Sequence, residues 1–224
     1  MHRECTIYGG APQTHVASAP RGRSLWYAMM RLHLLAHAPT AAQRRQRFPA
    51  DEGIEPVASD LGDRLAARLG ALNAIWRGPE RRAAETATAL GLTATSCGDL
   101  RAWSAGAWSG RTISSVVADD PAGFRAWCTD PDAAPPGGES LRALAARVAR
   151  WMDAQAALAG QVLVIADAAV IRAALLRALD AQPPTFWHLE ITPLSLSSVQ
   201  HAGDHWRLRQ LNLDVTSFPG RESL

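Results

Sequence analysis

A chain of 224 residues suits one α/β domain or at most two small ones. With 47% hydrophobic and 20% charged residues it has the composition of an ordinary globular protein that buries a core. A net charge of +2 excludes the excess expected of a nucleic-acid binder or a polybasic membrane protein, and no 18-residue apolar run is present to span a bilayer.

The first 28 residues lack the continuous apolar core of a signal peptide and carry Gly9-Gly10, Pro12 and Pro20 as breakers. Residues 1–29 are therefore expected to lie outside the fold, as a disordered tail or a mis-called start, with the domain at 30–224. All 23 basic residues are arginine, which fits a GC-rich coding bias. Cys5, Cys97 and Cys128 are odd in number and show no C-x-x-C spacing. That argues against a disulfide framework or a zinc site, and it fits a reducing, cytoplasmic setting.

The apolar run from Arg31 to Ala36 stops at a proline-containing turn and reads as a buried strand. The densest basic run, Arg44, Arg45 and Arg47, follows in a loop, either as a solvated cluster or as an anion-binding rim. Leu61, Leu65, Leu69 and Leu72 recur at helical spacing within 57–72. Residues 73–77 form a second strand, and Pro79 opens a helix that runs to Leu90 and stops at Gly91. Trp103 to Gly110, rich in Gly, Ser and Trp, reads as a loop. A long alanine-rich helix runs from Ser140 to about Leu158. Gln161 to Ile165 is the clearest buried strand, with a helix over 168–179 behind it. Two alternating segments, 194–200 and 205–215, read as a terminal hairpin.

Strands alternating with helices predict a three-layer α/β sandwich, its central sheet mostly parallel and covered by helices on both faces. In such sheets ligands sit beyond the carboxyl ends of the strands. His37, Arg82 and Asp167 each fall just past a strand end, so the three are expected to meet.

Five blocks in order resemble the histidine phosphatase (phosphoglycerate-mutase-like) superfamily. Residues 34–40 (LLAHAPT) stand where the family has a strand ending in Arg-His-Gly with a threonine after it. Residues 78–87 (GPERRAAETA) are similar to its Ser-Pro…Arg-Ala…Thr-Ala block, and 100–110 (LRAWSAGAWSG) to its Leu-x-Glu…Gly-x-Trp-x-Gly block. Residues 136–140 (PGGES) match its Gly-Gly-Glu-Ser helix start. Residues 162–172 (VLVIADAAVIR) resemble its Val-Ser-His-Gly-Gly-Val-Ile-Arg block.

The resemblance implies a phosphohistidine mechanism. A histidine attacks phosphorus, two arginines and a second histidine hold the phosphoryl oxygens, and a glutamate moves the proton. His37 takes the nucleophile's position and Arg82 that of the second arginine. Thr40, Arg47 and Trp108 fall where substrate-binding or pocket-rim residues are expected. Three positions depart: Ala36 replaces the first arginine, Ala102 the glutamate and Asp167 the second histidine. Gly78 for serine and Ala38 for glycine are milder changes. One lost charge-stabilising donor costs roughly 10²–10³ in turnover, and a lost general acid roughly 10²–10⁴. A carboxylate about 4 Å from a phosphoryl group adds about 4 kcal/mol of repulsion per unit-charge pair at an effective dielectric near 20.

Three readings follow. The first is a degenerate member kept as a binding or regulatory module for a small molecule. The second is a surviving phosphoric monoester hydrolase that uses His37 and Arg82 on a small phosphorylated metabolite, the α-ribazole phosphatase type among them. The third is a new acid–base or metal activity built on His37 and Asp167. Burial that holds Asp167 protonated would remove the repulsion. Glu85, Glu139 or a nearby aspartate standing in for the acid would restore proton transfer, although Glu139 also suits the start of a helix and Glu85 a solvated helix face. His33 reads as a satisfied core residue, and His188, His201 and His205 as turn or surface residues. No cofactor or resident metal is implied, and neither nucleic acid nor membrane is an expected partner.

Overall fold

A computed structural model describes residues 29–218. The N-terminal extension therefore lies outside the described residues. The strands are β1 (Met30–Ala36), β2 (Ala74–Arg77), β3 (Thr95–Ser96), β4 (Gly160–Ala166), β5 (Ser195–Ala202) and β6 (His205–Asp214). The helices are α1 (Ala41–Arg44), α2 (Leu61–Leu69), α3 (Arg81–Ala89), α4 (Ile113–Asp119), α5 (Pro121–Thr129), α6 (Leu141–Ala156) and α7 (Ala168–Leu179). The six strands form one sheet in the order β3-β2-β4-β1-β5-β6. β3, β2, β4 and β1 run parallel, and β5 and β6 are added antiparallel.

Alternation along β1 explains the layers. Leu32, Leu34 and Ala36 pack into one core with α6 and α7, while Leu35 packs into a second with α2 and α3. β4 is buried over Val162–Ala166 because both of its faces are covered, which is why it reads as an unbroken apolar run. The register sets His37 beside Ala166: Ala36 pairs with Ala166, and the His37 N–H donates to the Ala166 carbonyl at 3.1 Å.

Helix ends differ from the sequence expectation in two places. α2 occupies only Leu61–Leu69, because Asp60 stands at its N-cap and Gly70 leaves it at φ +70°. α3 starts at Arg81 instead of Pro79, since Glu80 is extended at the N-cap. α6 begins after Ser140, whose hydroxyl accepts from the Ala143 N–H. The short helices α1, α4 and α5 have too few apolar positions for periodicity to reveal them; α5 buries none of its residues. Cys97 is buried and is not a free thiol, which removes the cysteine-based argument for a reducing compartment. No helix among the described residues is long and apolar enough to cross a membrane.

Candidate active site

The three residues past the strand ends meet. Asp167 opens α7, and its Oδ1 accepts from the Ala169 N–H at 2.9 Å, as an N-cap carboxylate should. Its Oδ2 receives Arg82 Nη2 at 3.2 Å and lies 3.6 Å from His37 Nε2. Arg82, 2% exposed in the first turn of α3, also donates Nη1 to the Ala50 carbonyl at 2.8 Å, with Glu52 at 4.0 Å. Behind this pair, Thr86 Oγ1 accepts from Ala38 N–H at 2.9 Å and donates to the Arg82 carbonyl at 2.7 Å, tying the β1 end to α3.

His37 is 3% exposed. Its Nδ1 lies 2.7 Å from the Ala38 carbonyl, so that nitrogen carries the hydrogen and Nε2 is the one turned toward Asp167. Nε2 makes no hydrogen bond among the described residues, but the Asp167 carboxylate stands 3.6 Å in front of it. Burial pushes the Asp167 carboxyl upward, yet the adjacent His37 ring and the Arg82 guanidinium overcome that push and carry it well below the ordinary carboxylate range. The protonated Asp167 that would remove the repulsion is therefore not the state this site favours.

Two cavities open over the pair. The larger, about 550 Å³, is lined by Pro49, Asp51, Glu80, Arg82, Ala102 and Trp103 among others. The smaller, about 150 Å³, is walled by Trp103, Trp127, Phe186 and Trp187, with Asp167 and Arg172 as its charged members. Arg82, Asp167 and Ala102 reach these walls as expected. His37 and Ala36 line neither cavity, a correction to the sequence expectation, because the Asp167 carboxylate stands in front of the imidazole and Ala36 is packed into the core with α6 and α7.

Other expectations are corrected. Thr40 is buried and caps α1 through a reciprocal bond with Gln43, so its hydroxyl is spent on the backbone. Arg47 is exposed and donates to the Gly110 carbonyl at 2.9 Å, holding two loops together without lining either cavity. Trp108 is 3% exposed and packs with Phe48, Val116 and Trp127; Trp103, stacked on Trp127 at 4.7 Å, takes the place at the rim. Of the proposed substitute acids, neither Glu85 nor Glu139 lines the cavities, whereas an aspartate, Asp51, lines the larger one. Glu139 is clamped by Arg147 at 2.7 and 3.0 Å. Glu85 accepts from Ile54 N–H and Arg81, fastening a loop to α3.

Glu80 was missed. Its Oε1 accepts from the Ala102 N–H at 2.7 Å, and a Cβ on Gly78 would collide with its other oxygen. Gly78 and Ala102 thus belong to one arrangement: the Glu80 carboxylate docks on the Ala102 amide, and Gly78 leaves room for it. Gly78 was the available signal. Together, Asp51, Glu80 and Asp167 offset Arg82, Arg101 and Arg172 on the cavity walls, which leaves no net positive charge to draw a phosphate dianion. Among the described residues no group of three or more His, Cys, Asp or Glu lies together to hold a metal ion.

Comparison with known proteins agrees with this architecture. The family model for the histidine phosphatase superfamily, branch 1, matches residues 32–214. A Mycobacterium tuberculosis protein described as bifunctional is 31% identical over 189 residues, covering 78% of this chain and 51% of its own length. The chain thus spans about half the length of the curated relatives it matches. The alpha-ribazole phosphatase of Shigella flexneri superposes with a TM-score of 0.70 at 22% identity, over 82% of this chain and 96% of that one. A mycobacterial glucosyl-3-phosphoglycerate phosphatase, solved with VO3, superposes with a TM-score of 0.70 at 26% identity, over 82% and 98% of the two chains. With its five motif blocks in order and its sheet and helices in the same arrangement, this chain belongs to the histidine phosphatase superfamily.

Proposed function

We propose that this chain is a histidine-phosphatase-fold binding module in which phosphohistidine chemistry has been retired. The observation that carries the reading is the Asp167 carboxylate, bonded to Arg82 at 3.2 Å and standing 3.6 Å from His37 Nε2. It occupies the space between the two groups that a bound phosphoryl group would bridge. It supplies Arg82 with an internal anion and faces the imidazole with an oxygen that cannot be transferred. Ala36 and Ala102 remove the remaining donor and the family's acid, and the Glu80 carboxylate that docks at position 102 is engaged by the Ala102 N–H. A His37/Asp167 base is also disfavoured, because a working dyad keeps one ring nitrogen for the substrate.

The ligand class follows from the smaller cavity. An engineered apolar cavity of about 150 Å³ holds one benzene ring, and here the volume is about 150 Å³ with aromatic walls. Arg172 lies 5.5 Å from the Phe186 ring, and its Nε has no partner. A compact aromatic molecule bearing at most one anionic group fits this surface. A phosphorylated metabolite does not.

Hydrolysis of p-nitrophenyl phosphate across pH 4 to 8 tests the proposal. Native protein and His37→Ala are expected to be equally silent. A variant carrying Ala36→Arg, Ala102→Glu and Asp167→His, with Glu80→Ala to clear the space at position 102, is expected to exceed native turnover by at least about 10³, since the separate losses do not simply multiply. Native turnover that His37→Ala abolishes would overturn the proposal.

A further inference from the structure

We propose that a pocket near the amino end of β1, away from the His37 end, binds a small polyvalent oxyanion of the phosphate class. On the face of β1 that packs under α2, Leu35 belongs to the apolar core, but His33 and Arg31 come next toward the amino end. α2 is nine residues long and stops at Leu69, too short to cover that part of the sheet. A pocket of about 220 Å³ remains beneath its last turn.

Its floor is built from paired polar groups. His33 is 6% exposed, with Nδ1 2.9 Å from Ser198 Oγ and Nε2 3.1 Å from Gln161 Oε1. Gln161 and Ser198 come from the strands on either side of β1, so the floor is rigid sheet. Its walls are cationic: Arg31 from β1, Arg68 from α2 and Arg209 from β6. No carboxylate lines it. Arg31 donates to Gln200 Oε1 at 3.3 Å, while Arg68 and Arg209 make no hydrogen bond or ion pair among the described residues.

Elsewhere in the molecule arginines such as Arg64, Arg111, Arg142 and Arg177 are matched with carboxylates. Three that are not so matched converge here from three elements. Burial first, and the fields of Arg31 and Arg68 after it, hold the His33 imidazole below its ordinary value despite the Gln161 bond. Guanidinium groups bind oxyanions through paired N–H donors, and two free ones facing a polar floor suit an anion with several oxygens. Three arginines around one notch do not form a track for a nucleic-acid backbone.

The test titrates sodium pyrophosphate into the full chain at constant ionic strength, followed by calorimetry and by the histidine ring signals in NMR. Binding of one anion per chain with a Kd below about 1 mM is expected, with the His33 signal moving. Arg68→Gln with Arg209→Gln should weaken it at least about tenfold, both side chains being exposed and outside the core. Arg125→Gln with Arg150→Gln removes the same charge from exposed positions elsewhere and should leave binding unchanged. No binding, equal weakening by the two pairs, or movement of the His37 signal in place of His33 would each overturn the proposal. Vesicles of phosphatidylcholine and phosphatidylserine separate a free oxyanion from a lipid headgroup: co-sedimentation that depends on Arg68 and Arg209 would overturn the free-ion form.

Discussion

Arg82 is buried with its guanidinium divided among the Ala50 carbonyl, the Asp167 carboxylate and, farther off, Glu52. Removing the charge of Asp167 leaves a buried cation short of its main partner. Asp167→Asn is therefore expected to lose roughly 3 kcal/mol at neutral pH in urea unfolding, the scale for breaking one side of a buried pair. The pH dependence has a definite sign. The folded carboxyl lies below its ordinary value, so its contribution is fully present above the unfolded pKa of about 3.9 and is lost as pH falls from there toward the folded value. The variant should show a shallower acid-side decline below about pH 4 than the native protein. The residues of this pair were legible in the sequence, because each follows a strand end. Their contact was not. Position 167 is separated from Arg82 by 85 residues, and only the adjacency of β2 and β4 brings the two side chains together.

Among the elements, α6 shows how the loop that forms the cavity wall is held. Arg147 grips both oxygens of Glu139 and donates Nη1 to the carbonyls of Asp99 and Arg101 at 2.7 and 3.0 Å. That anchors the stretch that leads into Ala102 and Trp103. Arg147→Met leaves a buried carboxylate and two carbonyls without this donor, and a loss of about 3–5 kcal/mol is expected in denaturant unfolding. A loss under about 1 kcal/mol would mean that Arg101 or water replaces it. The helix itself was readable from its cap and its apolar spacing. The role of Glu139 was not, because a glutamate before a helix start suits the helix dipole whether or not an arginine closes on it two turns later.

Across the whole molecule, stability is unevenly distributed. α7 buries eight of its residues and α6 seven, both against the central sheet. α4 buries one and α5 none, and they meet the rest of the protein through a small aromatic cluster of Phe48, Trp108 and Val116 with Phe124 and Trp127 against it. Few buried contacts mean low local unfolding free energy. Native-state hydrogen exchange should accordingly find the amides of 113–129 less protected than those of 144–156 and 171–179. Equal protection would show that the cluster is part of the cooperative core. Since Trp127 of α5 walls the smaller cavity, this gradient places the most easily opened element over the proposed ligand surface.

Strand runs, helix caps at Ser140 and Asp167, and the terminal hairpin were legible because they depend on near neighbours in the chain. The family blocks added the layer order, so the architecture and the convergence of His37, Arg82 and Asp167 could be expected before any coordinates. Three outcomes rest on tertiary contacts. Asp167 shields His37 from the cavities, Glu80 docks on the Ala102 amide across a space that Gly78 leaves, and Arg31, Arg68 and Arg209 gather from β1, α2 and β6. Each depends on the direction of a long side chain across elements remote in sequence, and periodicity carries information about faces but none about which charged tips meet.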